Sequence, residues 1–128
     1  MAAVRVLIVD DDEELRLLCR LCLQAHGAFE VLCASGGEEA LALAEQERLD
    51  LVLMDLFMPG MDGPATLTQL RARPRTAHLP AVLMTAVGEH PSVQPARWTG
   101  IIHKPFDVRR LGDQLLKILA ERSAEGPP

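Results

Sequence analysis

The residues that could do chemistry stand at the ends of apolar runs. Val6 to Val9 is followed by Asp10, Asp11 and Asp12, Leu51 to Met54 by Asp55, the run from Leu79 ends in Thr85, and Gly100 to His103 leads into Lys104. Three carboxylates held together repel and raise one another's pKa unless a cation lies among them. Hard oxygen donors in a small site suit Mg²⁺, which takes one or two protein carboxylates and completes its shell with water and phosphate oxygens. A lysine and a hydroxyl beside such a cation would bind the remaining oxygens of a phosphoryl group.

These side chains can meet only if the runs that carry them are parallel strands sharing one sheet edge. Short apolar runs bounded by turn residues have the pattern of strands buried on both faces. The chain alternates accordingly: strands at Val4 to Val9, Phe29 to Ala34, Leu51 to Met54, Leu79 to Thr85 and Gly100 to His103, with helices between them. The first helix runs to His26, capped by Asp12 and stopped by Gly27, and carries Leu15, Leu18, Cys19 and Cys22 on one face. The second spans Glu38 to Gln46 and the third Pro64 to Arg71, with Pro64 in a first turn where its missing N–H costs nothing. A last helix, capped by Asp107, buries Val108, Leu111, Leu115, Ile118 and Leu119. Strand and helix alternating five times predict an α/β fold, a doubly wound five-stranded parallel sheet with helices on both faces. In such sheets ligands bind outside the carboxyl ends of the strands, where all these polar residues fall.

Between Thr85 and Gly100, Pro91 and Pro95 leave room only for a shortened or irregular fourth helix. A helix begun at Pro91 would put Pro95 in its interior, at a cost of about 3 kcal/mol. The arrangement that avoids this has Ser92 as cap, Pro95 in the first turn and at most about two turns, anchored by Trp98.

The chain has 128 residues, 48% of them hydrophobic and 24% charged, and its net charge is −5. One domain of residues 1–122 is expected, with 123–128 as a flexible tail or linker. The acidic balance and the want of an evident basic patch argue against direct nucleic-acid binding. No apolar run approaches 18 residues, so no membrane segment is expected and a cytoplasmic location follows as the default. Cys19 and Cys22 form a C-x-x-C pair, but they lie within the apolar periodicity of the first helix and have no second pair, so packing is the expected role rather than zinc or redox chemistry.

The VDDD run, the D-x-x-M-P-G-M-D-G turn from Asp55 to Gly63, Thr85-Ala86 and Lys104-Pro105-Phe106 occur in the order found in response-regulator receiver domains of two-component signalling, which residues 4–121 resemble. The resemblance implies strand order 2-1-3-4-5 and a Mg²⁺-dependent switch phosphorylated on Asp55 by a histidine kinase or phosphotransfer protein. It makes Asp11 a direct metal ligand together with Asp55 and the backbone carbonyl of Phe57, and Asp10 a ligand through water. Thr85 and Lys104 become the residues that approach the phosphoryl group, and the Lys104-Pro105 bond is expected to be cis. No catalysis beyond the domain's own phosphorylation and dephosphorylation is implied, and the output is altered binding of a downstream protein.

Three departures matter. Ile101 stands where the family carries an aromatic switch residue, and Phe57 and Val87 place apolar side chains along the path of the hydrolytic water. With Ile101 and the altered fourth helix, a docking module that acts independently of phosphorylation is the alternative. A haloacid-dehalogenase-like phosphohydrolase would need a second Asp at position 57, and a flavin site would need a Ser/Thr/Gly-rich loop after the first strand; neither is present. Leu17 and Leu21, one helical turn apart, are expected to be exposed and to dock a partner.

Overall fold

A computed structural model describes residues 3–86 and 93–124. Five parallel strands, β1 (Val4–Val9), β2 (Phe29–Ala34), β3 (Leu51–Asp55), β4 (Ala81–Thr85) and β5 (Gly100–His103), form one sheet in the order β2-β1-β3-β4-β5. Helices α2 (Gly37–Gln46) and α3 (Gly63–Arg71) cover one face; α1 (Glu13–His26) and α4 (Leu111–Ala124) cover the other.

The two-residue periodicity of strands splits the core. Leu7, Val9, Val52, Met54 and Leu83 pack against Ala40, Leu41, Ala44, Leu67 and Leu70 of α2 and α3. Val6, Ile8, Leu51, Leu53, Val82 and Met84 pack against Cys19 and Leu23 of α1 and Leu111 and Leu115 of α4. The central strands are apolar between their ends, at Val6–Val9, Leu51–Met54 and Ala81–Met84, because each face meets a helical layer.

The helix boundaries have local causes. The Asp12 carboxylate accepts from the N–H groups of Glu14 and Leu15, and Gly27, at φ 90°, closes α1 in the left-handed conformation. Asp62 caps α3 by accepting from Ala65, with Pro64 in the first turn. Gly63 is needed for close approach: a Cβ there would lie 2.6 Å from the carbonyl oxygen of Asp55. Gly37 likewise lets α2 meet α3, since a Cβ would overlap the hydroxyl of Thr66.

Some sequence-based boundaries shift. β4 starts at Ala81 rather than Leu79, because the Leu79 N–H turns back to Thr76 O and Pro80 has no N–H to offer a ladder. The last helix is preceded by a 3₁₀ turn, Val108–Arg110, which Asp107 caps, and α4 continues to Ala124, two residues into the stretch expected as a tail. The buried side of α1 centres on Cys19 and Leu23, while Leu18 is 46% exposed, so the expected grouping of Leu18 with the inward face is corrected. Leu18 sits one residue off the line of inward positions and turns toward Pro105 and Phe106.

Among the described residues, the β4–β5 connection contains only a 3₁₀ turn, Pro95–Arg97, with Gln94 before it. Trp98 follows, buried against the α2–α3 side of the core as its expected anchor. Val87, Pro91 and the proposed cap Ser92 lie outside the described residues. The three cysteines are free, and burial pushes the Cys19 thiol up to about 12, with Asp10 adding to the shift. Such a thiol is a packing group, because the nucleophile and metal ligand is the thiolate.

Candidate functional site

Strand register brings the chemistry together. Val9 pairs with Met54 and Asp55 with Met84, so Asp10 comes level with Asp55; Thr85 pairs with His103, and Lys104 follows. The backbone N–H of Lys104 donates to Thr85 O at 2.8 Å, extending the ladder one step past β5 before the cis Lys104-Pro105 bond redirects the chain.

Lys104 Nζ donates to Asp55 Oδ1 at 2.9 Å and lies 3.8 Å from Asp10 Oδ2. Asp10, Asp11 and Asp55 each place a carboxylate oxygen within 4.8 Å of the others. Asp10 is only 1% exposed, Asp11 is exposed and Asp55 is intermediate, so the cluster opens outward from a buried floor. Thr85 is buried at the same edge.

Asp10 is held from below. Its Oδ1 accepts from the Asp12 N–H at 2.9 Å, and Arg16 Nη1 donates to its carbonyl oxygen at 2.7 Å. Its other oxygen, Oδ2, is buried without a hydrogen bond. Burial pushes the Asp10 carboxyl upward, and neighbouring Asp55 and Asp11 add to this against the Asp12 N–H and Lys104. For Lys104, burial acts to lower the pKa, but the hydrogen bond and charge of Asp55, with Asp10 and Asp12, carry it above the ordinary lysine value. The Arg16 and Asp12 contacts escaped the sequence reading. The i to i+2 spacing of Asp10 and Asp12 is the pattern of an Asx turn and could have indicated the second.

A hard divalent cation fits this donor set. One deeply buried carboxylate oxygen has no partner, two further carboxylates stand within reach, and all the donors are oxygens. Phe57 lies just beyond Asp55 in the loop to α3 with 53% of its surface exposed. On the outer side of Lys104, Leu15, Leu18, Ala86, Pro105, Phe106 and Val108 line an apolar hollow of about 510 Å³. Leu17 and Leu21, also on α1, are exposed as expected, at 52% and 54%.

Comparison with known proteins gives the family. Residues 6–116 match the family model described as response regulator receiver domain. The sporulation initiation phosphotransferase F of Bacillus subtilis is 33% identical over 122 residues, covering 93% of this chain and 96% of that protein. A probable chemotaxis protein CheY of Rhizobium etli is 32% identical, with 84% of this chain and 86% of that protein covered. Among solved structures, a CheY-like receiver domain protein from Methanospirillum hungatei superposes with a TM-score of 0.84 at 27% identity, over 98% of this chain and all of that one. Among the described residues no helix is long and apolar enough to cross a membrane. With the family model matched over residues 6–116, the chain belongs to the response regulator receiver domain family, whose members are phosphorylation-controlled signalling switches rather than classical enzymes.

Proposed function

We propose that the protein is a switch phosphorylated on Asp55, with a histidine kinase or a phosphotransfer protein as donor and a downstream protein as reader. The observation that carries the reading is the 2.9 Å contact of Lys104 Nζ with Asp55 Oδ1 inside a cluster of three carboxylates. Asp55 is the partly exposed acid of the cluster that a lysine already addresses, which suits a nucleophile that must receive an incoming group.

An oxygen of Asp55 attacks phosphorus, the bond from phosphorus to the donor's nitrogen or oxygen breaks, and the electron pair leaves with the donor. Lys104 moves from the free carboxylate to the new phosphoryl oxygens, keeping its charge next to the anion. Thr85 offers its hydroxyl from the neighbouring strand end. Mg²⁺ would be held by Asp11, Asp55 and the Phe57 carbonyl, with Asp10 acting through water. When bound, it supplies positive charge opposite the oxygens on which negative charge develops. Arg16 and the Asp12 N–H hold Asp10 in place throughout.

Leu18, which lines the hollow beside Lys104, and exposed Leu17 and Leu21 give α1 apolar side chains suited to seat the phosphodonor. A cytoplasmic location accords with such donors. The test is incubation with MgCl₂ and acetyl phosphate, followed by mass spectrometry of the intact protein and of Asp55→Asn. A single added phosphoryl group in the wild type, absent in the variant and after EDTA, is expected. Labelling of Asp55→Asn at the wild-type rate would refute the assignment. Normal partner binding by Asp55→Asn would instead favour the phosphorylation-independent docking module, which the short 3₁₀ turn before β5 and Ile101 make the second reading.

A further inference from the structure

At the opposite edge of the sheet from Asp55 lies a second cleft, of about 640 Å³, with a different chemistry. Val4, Leu49, Leu79, Pro80 and Leu119 give it apolar walls, and Arg48, Arg75, His78 and Arg122 line it with cations or potential cations. Arg48 is paired with Asp50 at 3.1 Å. Arg75 and Arg122 have no carboxylate partner among the described residues; Arg122 donates to the carbonyl of His78 at 2.9 Å, which fixes it at the rim.

The unpaired charge extends beyond the cleft. Arg122 also lines an adjoining hollow with Arg97. The pKa of Arg71 is lowered, first by burial and then by the charges of Arg122 and Arg97. Arg71 and Arg97 donate to neutral oxygens, Thr76 O at 3.3 Å and Thr68 Oγ1 at 2.7 Å. Arg71 and Arg75 come from the end of α3 and the loop after it, Arg97 from the 3₁₀ turn and Arg122 from α4, and none forms an ion pair among the described residues. This concentration occurs in a chain of net charge −5. Folding brings Arg97 and Arg122, distant in the chain, to the arginine-rich stretch that holds Arg71 and Arg75.

We propose that this cleft binds a small phosphate-bearing ligand with an apolar ring body, a nucleotide in chemical class. Guanidinium forks match phosphate oxygens bidentately, and Arg75 and Arg122 flank apolar walls on which a ring can rest. The volume falls in the range of about 300–1,000 Å³ usual for small-ligand sites. A nucleic-acid polymer suits the site less, because the acidic remainder of the surface would repel its flanking phosphates.

The site is separate from the phosphorylation centre. Asp50, on the cleft wall, immediately precedes β3 and Asp55 ends it, so about 16 Å of extended chain divides them. That exceeds the Debye length of roughly 8 Å at physiological salt. Ligand binding here therefore does not depend on the role given to Asp55.

The test is calorimetric titration of the full chain in EDTA with ADP, pyrophosphate and adenosine. ADP should bind most tightly, with pyrophosphate and adenosine each weaker because each lacks half of the ligand. Arg75→Ala combined with Arg122→Ala should weaken ADP at least tenfold, while Asp55→Asn leaves it unchanged. Both arginines are exposed, so the double variant should keep the wild-type melting temperature and its labelling by acetyl phosphate. No ADP binding at millimolar concentration, binding that survives the double substitution, or binding lost in Asp55→Asn would overturn the proposal. Tighter binding of a single-stranded RNA oligomer through the same arginines would overturn it too.

Discussion

Asp10→Asn should stabilise the protein in the absence of metal, although it removes a charge from the centre of the site. The Asp10 carboxylate has one oxygen bonded to the Asp12 N–H and the other buried with no hydrogen bond. At an effective dielectric of about 20, Lys104 at 3.8 Å attracts Asp10 by roughly 4 kcal/mol, and Asp55 within 4.8 Å repels it by at least about 3.5 kcal/mol. These nearly cancel, and Asp11 is exposed enough for water to screen most of its effect. What remains is the cost of burying a charged carboxylate with one oxygen unbonded, which exceeds that of a neutral amide in the same place by about 1–3 kcal/mol. Asparagine keeps the acceptor for Asp12 and removes the charge, so the melting temperature should rise by roughly 4–10 °C for a domain of this size.

The pH dependence follows from the upward shift of the Asp10 pKa. The folded state holds the Asp10 proton to higher pH than the unfolded chain does, so the wild type loses stability as pH rises out of the carboxylate range. The gap between wild type and Asp10→Asn should close below roughly pH 4 and be full at neutrality. Thermal unfolding by circular dichroism in EDTA across this range measures it. Saturating MgCl₂ should narrow or reverse the gap, because the wild type has the better donor set. A variant less stable than wild type in EDTA at neutral pH would refute the reasoning, since it would mean that the attraction of Lys104 outweighs desolvation.

Gly63→Ala should lower stability by about 1–3 kcal/mol and slow labelling by acetyl phosphate, because the new methyl collides with the Asp55 carbonyl and the backbone of Leu56; wild-type denaturant midpoint and labelling rate would contradict this. Leu17→Glu with Leu21→Glu should change the melting temperature little, both side chains being exposed, but should slow transfer from a cognate kinase and leave acetyl phosphate labelling intact. Equal effects on the two donors would count against docking on α1. Phe57→Asn should shorten the lifetime of the phosphorylated form by giving the attacking water a hydrogen-bonding neighbour, measured as loss of label after the donor is removed; an unchanged or longer lifetime would oppose it.

The ends of apolar runs were legible because a buried parallel strand must be apolar throughout, so the first polar residue marks the edge of the sheet. That reasoning applied to Asp10, Asp55, Thr85 and Lys104, and the order of strands and helices followed from the same alternation. Caps were legible where one side chain suffices, as at Asp12, Gly27 and Asp107. The start of β4 was not, because it depends on where the Leu79 N–H finds a partner and on the missing N–H of Pro80. Nor was the outward turn of Leu18, which rests on how α1 lies against the loop after β5. Distances of 2.9 Å and 3.8 Å from Lys104 to its two acids, and the orphaned oxygen of Asp10, depend on strand register, which pairs residues far apart in the chain. The arginine cluster shows the same limit most plainly. Sequence alone determines the number of charges and sets Arg71 near Arg75, but Arg97 and Arg122 join them only when α3, the 3₁₀ turn and α4 pack around one end of the sheet, because electrostatic neighbourhood is a property of space rather than of chain order.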